Sequence, residues 1–349
     1  MLWHEHVRRS AKLLITGCLH YSGMLAPIRR RYTRGRASIL MYHRVCSPGE
    51  GVQDYSPNGI SVTPSEFRMQ MQFLRRHYDI VPLDRVVAAV RGEQPLTPAM
   101  CAITFDDGWR DVYQHAYPVL RELSIPATIF LTPGFATGAQ WFWEERAKYL
   151  LALIHGCLAS SRVSTASPVA ERLAHHGFDD LLTVGRAHLP MYLGDVARRL
   201  KALEMPRRNS VMEMLETLAV ELAPEALRPF LNAAEIREMA SCGIEFANHT
   251  FSHPNLTELS AEGIRDEIAS AAAWLAREVP QASRHFAYPY GKYDARVRSA
   301  VEALGMRSAC TTRLGMVEQN ADPLALNRFN MCSDVVGLEP LFAARLLGF

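Results

Sequence analysis

A chain of 349 residues that is 48% hydrophobic, 21% charged and 9% aromatic can bury a large core, and this composition is ordinary for a soluble protein. The net charge of +2 hides an asymmetry: residues 1–36 carry eight Lys or Arg against Glu5 alone, while the remainder is net negative. A basic leader of this kind suits an anionic surface, most simply membrane lipid; nucleic acid is set aside because no zinc-finger, helix-turn-helix or base-stacking signature accompanies the charge.

Within the leader, Leu13–Leu19 is too short to span a bilayer and is flanked by Lys12 and His20. No small-x-small cleavage site follows it, so a secretory signal fits poorly. Two readings stay open: an interfacial amphipathic helix, or a helix packed on the base of the following domain. Seven scattered cysteines without a Cys-x-x-Cys pair point to reduced thiols in a cytoplasmic setting, at the inner face of the membrane if the leader binds lipid.

From residue 37 strand and helix signals alternate. Ile39–Val45 reads as a strand, Pro64 opens a helix with Phe67, Met71 and Leu74 on one face, Tyr78–Val81 is a strand and Leu83–Val90 a helix. Cys101–Phe105 is a short apolar strand followed by Asp106, Asp107 and Gly108, which places two carboxylates where a strand ends and a turn begins. Trp109–Leu123 then reads as a helix bent or broken by Pro118, and Ala127–Leu131 as the next strand. Residues 139–232 lose this rhythm and read as an inserted helical subdomain, opened by the aromatic run Trp141-Phe142-Trp143. Alternation resumes with a strand at 243–247, a helix at 260–277, a strand at 285–288 and a helix at 294–304.

Two patterns carry chemistry. Adjacent carboxylates are costly when both are charged unless a cation or a proton-transfer role uses them, although Asp-Asp-Gly is also common turn chemistry. His249 and His253, four apart, can share one helical turn and offer two imidazoles to one metal, although such spacing also occurs on polar surfaces. Both patterns follow predicted strands, where parallel α/β folds gather their functional groups. One carboxylate with two histidines is an open, catalytic type of ligand set.

Thr104–Gly108, His249-x-x-x-His253 and Phe286–Gly291 together resemble the successive motifs of the polysaccharide deacetylase (NodB-homology) family, and Ile39–Val45 resembles the first strand of many members. The resemblance spans roughly 37–135 and 233–330. It implies an α/β fold, a deformed (β/α)7 barrel of the NodB-homology type with an inserted helical subdomain. Its expected segments are a leader (1–36), a first barrel part (37–138), the insertion (139–232) and a second barrel part (233–349). It implies a hydrolase that removes acetyl groups from N-acetylated amino sugars of a polysaccharide or lipid-linked glycan, using a divalent metal, commonly zinc. Asp107, His249 and His253 become the metal ligands, Asp106 the general base, and the Tyr290 N–H the oxyanion donor. Tyr288, Pro289 and Trp141 are candidate substrate contacts. Asp111 either orients a ligand histidine or begins a helix.

Two departures stand out. Where many members carry an arginine that pairs with the base, this chain has Ala287, and no histidine follows His285 to act as general acid. Arg328, at a predicted strand end, is a candidate partner for Asp106, and His43 a candidate acid or substrate contact. Two alternatives remain beside deacetylation: hydrolysis of another small acyl amide such as a formyl group, and a non-catalytic sugar-binding protein.

Overall fold

The computed structural model describes residues 15–46, 60–137, 143–161, 167–185, 188–222, 228–279 and 281–348. The chain divides into two compact units: Met1–Val45, Gly59–Ala139 and Phe230–Phe349 form the first, and Cys46–Asn58 with Gln140–Pro229 the second. Trp141 lies outside the described residues.

The first unit is built on β1 (Arg36–Tyr42), β2 (Arg44–Val45), β3 (Ser61–Val62), β4 (Asp79–Ile80), β5 (Met100–Asp107), β6 (Thr128–Leu131), β7 (Glu245–Asn248), β8 (His285–Ala287), β9 (Ser308–Cys310), β10 (Val317–Glu318) and β11 (Phe329–Asn330). β1, β5, β6, β7, β8 and β9 pair in that order, all parallel. Cys310 of β9 bridges Leu326, and three residues later β11 pairs with β1, so the ladder returns to its starting strand. Helices between the strands cover the outside, which explains why β5 is apolar and buried on both faces rather than alternating.

Inside, one residue from each of seven neighbouring segments meets in a single cluster: Ile39, Ala102, Phe130, Ala247, Ala287, Cys310 and Leu326. Small residues at four of these positions make room for the Phe130 ring. Because side chains alternate along a strand, Ala102 facing inward brings Thr104 and Asp106 inward above it, and Leu326 does the same for Arg328. The barrel floor thus dictates which groups reach the upper rim.

Local signals behave as their chemistry requires. The helix Pro64–His77 starts at a reciprocal capping box between Thr63 and Glu66, and Phe67, Met71 and Leu74 on its inner face are fully buried. Pro118 does not simply bend one helix; a π-helical turn at Val112–Ala116 precedes an α-helix at Tyr117–Glu122, with Pro118 in its first turn, where its missing N–H costs nothing. Asp106 and Asp107 are still strand residues, paired in register with Phe130 and Leu131, not residues of the following turn. The turn belongs to Gly108, whose φ of 81° lies where a residue with a side chain is strained. In the leader, 15–21 and Leu25–Tyr32 are helical, with Leu25 buried and Arg29 hydrogen-bonded to His77.

The second unit contains the helices Trp143–Ser161, Pro168–His175, Leu189–Lys201 and Met205–Leu222. Leu151, Ile154, Leu189, Leu215 and Leu218 form its own dry core.

Candidate metal centre and catalytic carboxylate

β5 delivers Asp107 to the rim, and the segment after β7 delivers the two histidines. They do not share a helical turn. Thr250 and His253 adopt left-handed backbone conformations (φ 66° and 60°), and this folded turn points both rings at one spot. The reason lies in its hydrogen bonds: the Asn248 carboxamide accepts from Thr250 N–H, and the Thr250 hydroxyl accepts from His253 N–H, an arrangement that competes with helix. Asp107 (φ 73°) and Tyr290 (φ 58°) are left-handed too. Four non-glycine residues in this disfavoured region at one rim mark a site whose geometry the surroundings impose.

Asp107 Oδ1 lies 3.5 Å from Nε2 of His249 and 3.5 Å from Nε2 of His253. One donor atom from each residue falls within 4.8 Å of the others. His249 donates its Nδ1–H to the Ala287 carbonyl at 2.8 Å, which fixes the tautomer and leaves Nε2 with its lone pair facing Asp107. Burial holds His253 down to about pKa 4, so it is a neutral imidazole at neutral pH. Burial alone would raise the Asp107 carboxyl, but the imidazoles of His249 and His253, each 3.5 Å from Oδ1, outweigh it and keep it ionised. Burial also works against charge on His249, yet Asp107 and Asp106 raise its pKa above the ordinary value. This cluster therefore carries an anionic, imidazole-rich donor set with unmet demand for positive charge, and it fits a divalent cation.

Asp106 is held separately. Arg328 makes a bidentate pair with it, Nη1 to Oδ1 and Nη2 to Oδ2, both at 2.7 Å. The guanidinium is fully buried and is itself fixed by donation to the Thr311 carbonyl and the Thr104 hydroxyl. Desolvation pushes the Asp106 carboxyl up, but the Arg328 charge wins and it sits below its usual range. Ala287 is fully buried in the cluster around Phe130 and offers Asp106 no charge, and the cation arrives from the closing strand instead. His43 interrupts the first strand between β1 and β2, its Nε2 lies 4.0 Å from Asp106 Oδ2, and its buried Nδ1 has no hydrogen-bond partner among the described residues.

The third motif needs correction. Tyr288 and Pro289 are buried; the Tyr288 hydroxyl donates to the Leu324 carbonyl and its ring stacks on Tyr293 at 4.5 Å, so neither side chain is a substrate contact. Strand alternation turns Tyr288 into the core while the positive φ at the next residue turns Tyr290 out. The Tyr290 ring is 56% exposed and stands edge-on to His253 at 4.8 Å. Asp111 does stand where the helical segment begins, without a side-chain cap bond; its carboxylate accepts from Arg44 Nε at 2.8 Å and Val45 N–H at 3.1 Å. Trp109, not anticipated from sequence, donates its indole N–H to Asp107 Oδ2 at 2.9 Å.

The polysaccharide deacetylase family model matches residues 93–155 and 211–309, which contain Asp106, Asp107, His249, His253 and Tyr290. The chain belongs to the polysaccharide deacetylase family. That family's N-deacetylases are hydrolases acting on carbon–nitrogen bonds other than peptide bonds, and this chain stands among them. The relative YxkH of Bacillus subtilis (strain 168) is 21% identical over 301 residues, covering 86% of this chain and 72% of that one. The poly-beta-1,6-N-acetyl-D-glucosamine N-deacetylase of Staphylococcus aureus (strain MSSA476) is 28% identical over 123 residues, 31% of this chain and 40% of that one. Among solved structures, the Streptococcus pyogenes deacetylase PplD in complex with acetate superposes with a TM-score of 0.57 at 18% identity, over 89% of this chain and 98% of that one. At that identity the likeness speaks for the NodB-homology fold alone.

Proposed function

We propose that this family member is a metal-dependent N-deacetylase acting on N-acetylated amino sugars of a polysaccharide or lipid-linked glycan. One observation carries the reading: two adjacent carboxylates have separate surroundings, Asp107 facing two histidine Nε2 atoms and Asp106 locked to a buried arginine. Asp107, His249 and His253 would hold the cation, zinc by the usual preference of such donors, and bound there it supplies Lewis acidity to water and to the acyl carbonyl. Asp106, ionised and beside that point, accepts the proton as water attacks. The Tyr290 N–H is the oxyanion donor, aimed by a residue held at positive φ. His43, within reach of Asp106, delivers a proton to the departing amine. Arg328 keeps Asp106 charged and oriented. Acetate release from N-acetylglucosamine oligomers in the presence of zinc, compared between the wild type and Asp106→Asn, tests the reading. Equal background release from both, with metal bound, would remove it for these substrates.

We also place the protein at the cytoplasmic face of a membrane. Ile15, Tyr21, Met24 and Tyr32 are exposed beside the exposed Arg30, Arg31 and Arg34, a combination suited to anionic lipid. Among the described residues no helix is long and apolar enough to cross a membrane. Co-sedimentation with phosphatidylglycerol vesicles, absent with phosphatidylcholine and lost in Arg30→Glu/Arg31→Glu, is the expected result; equal binding by that variant overturns it.

A further inference from the structure

The Asp107 carboxylate has two oxygens, and the protein treats them differently. Oδ1 faces both histidine Nε2 atoms at 3.5 Å, whereas Oδ2 accepts the Trp109 indole N–H at 2.9 Å. Trp109 is only 9% exposed, so its donor needs an acceptor from the protein, and a carboxylate that turned to chelate through both oxygens would abandon it.

The indole itself cannot swing away. The Arg44 guanidinium lies over its ring at 4.4 Å, and Asp111 holds that guanidinium through Nε at 2.8 Å while its other oxygen takes the Val45 N–H. Phe230 packs against the ring at 4.6 Å between centroids. The backbones of Trp109 and Phe230 form an antiparallel bridge, and Leu231 N–H donates to the Gly108 carbonyl at 2.9 Å. Asp111, Arg44, Trp109 and Asp107 thus form one chain of contacts ending on Asp107 Oδ2, the oxygen that does not face the histidines.

We propose that Trp109 is a positioning residue that restricts Asp107 to single-oxygen metal ligation and so reserves open coordination positions for water and the acyl oxygen. The inference rests on the metal-centre reading given above. Trp109→Phe keeps an aromatic ring beside Arg44 and Phe230 and removes the N–H together with the fused second ring. Its zinc affinity, measured by competition with a chromophoric chelator, is expected to fall about 10- to 100-fold. The visible absorption of the cobalt(II)-loaded variant is expected to weaken as Asp107 moves towards chelation and the coordination number rises. Wild-type affinity together with a wild-type cobalt spectrum in the variant overturns the inference. If the wild type itself binds no zinc, the metal-centre reading fails instead.

A second measurement needs no variant. With ¹⁵N-labelled tryptophan, five indole N–H signals are available. Zinc is expected to protect one of them from hydrogen exchange and shift its resonance; five signals indifferent to zinc overturn the inference.

Discussion

The two ends of the barrel carry buried histidines in similar settings, and only one end converges on a site. At the upper rim His249 ties Nδ1 to the Ala287 carbonyl and points Nε2 at Asp107, whose side chain is 15% exposed. At the lower rim His285, on the same strand as Ala287, ties Nδ1 to the Ser308 hydroxyl and leaves Nε2 3.6 Å from Asp84. Asp84 is 54% exposed and the same oxygen faces Arg307, so its field is shared with a cation and screened by water. The consequence appears in the protonation equilibria: His249 is raised, whereas burial pushes His285 down to about 4. What sets His249 apart is a carboxylate partner mostly shielded from solvent and a second imidazole at the same oxygen. Residue type alone does not distinguish the two ends.

Metal content gives the sharpest way to break this contrast. Zinc retained after dialysis is expected to vanish in His249→Ala and to stay at the wild-type level in His285→Ala; loss in the second would erase the distinction. Asp106→Asn should keep its zinc and lose about 10²- to 10⁴-fold in deacetylation rate, read as acetate release. Arg328→Met strands the Asp106 charge in a dry lumen, and urea unfolding should report a loss of about 3–5 kcal/mol, partly recovered by adding Asp106→Asn. No recovery would mean that the two side chains are not coupled.

The lower rim makes a pH prediction of its own. Folding depresses the His285 pKa from the ordinary histidine value of 6.5 to about 4, chiefly through burial, so between these values the unfolded chain binds more protons. Stability is therefore full above about pH 6.5 and falls as the pH drops towards 4, by a few kcal/mol at roughly 1.4 per pH unit. His253 shares this window. His285→Asn should flatten part of the slope in a denaturation series from pH 4 to 7, and an unaltered slope would refute the assignment. The smallest effect is expected at Gly291. Its φ of 67° and the backbone of Thr312 leave no room for Cβ, so Gly291→Ala should cost about 1–3 kcal/mol in chemical denaturation and slow turnover through the neighbouring Tyr290.

Strand positions were readable because apolar runs ending in polar residues are a local signal, and both functional motifs were visible for the same reason. What the sequence could not show was non-local or conformational. Arg328 meets Asp106 across 222 residues only because the closing strand sets both side chains into the lumen. The His249–His253 spacing suggested helix, and left-handed backbone at Thr250 and His253 replaced it, since serial side-chain hydrogen bonds offered the chain another path. The burial of Tyr288 followed from strand alternation that the proline-containing motif obscured. Trp109 could have been found: a tryptophan directly after a carboxylate pair must place its N–H somewhere, and the nearest acceptor is two residues away.

Where the inserted helices leave and rejoin the barrel has a practical consequence. Phe135, near the point of departure, packs its ring on Phe230 at the point of return, 4.6 Å between centroids. Two chain ends so close can be joined by a short linker at little entropic cost. A variant in which a short linker replaces the inserted helices is therefore expected to keep the barrel fold. The boundary of the exchange is not free, however. A graft that omits Phe230 and Leu231 removes the wall on which Trp109 leans, so the replaceable segment ends at Pro229.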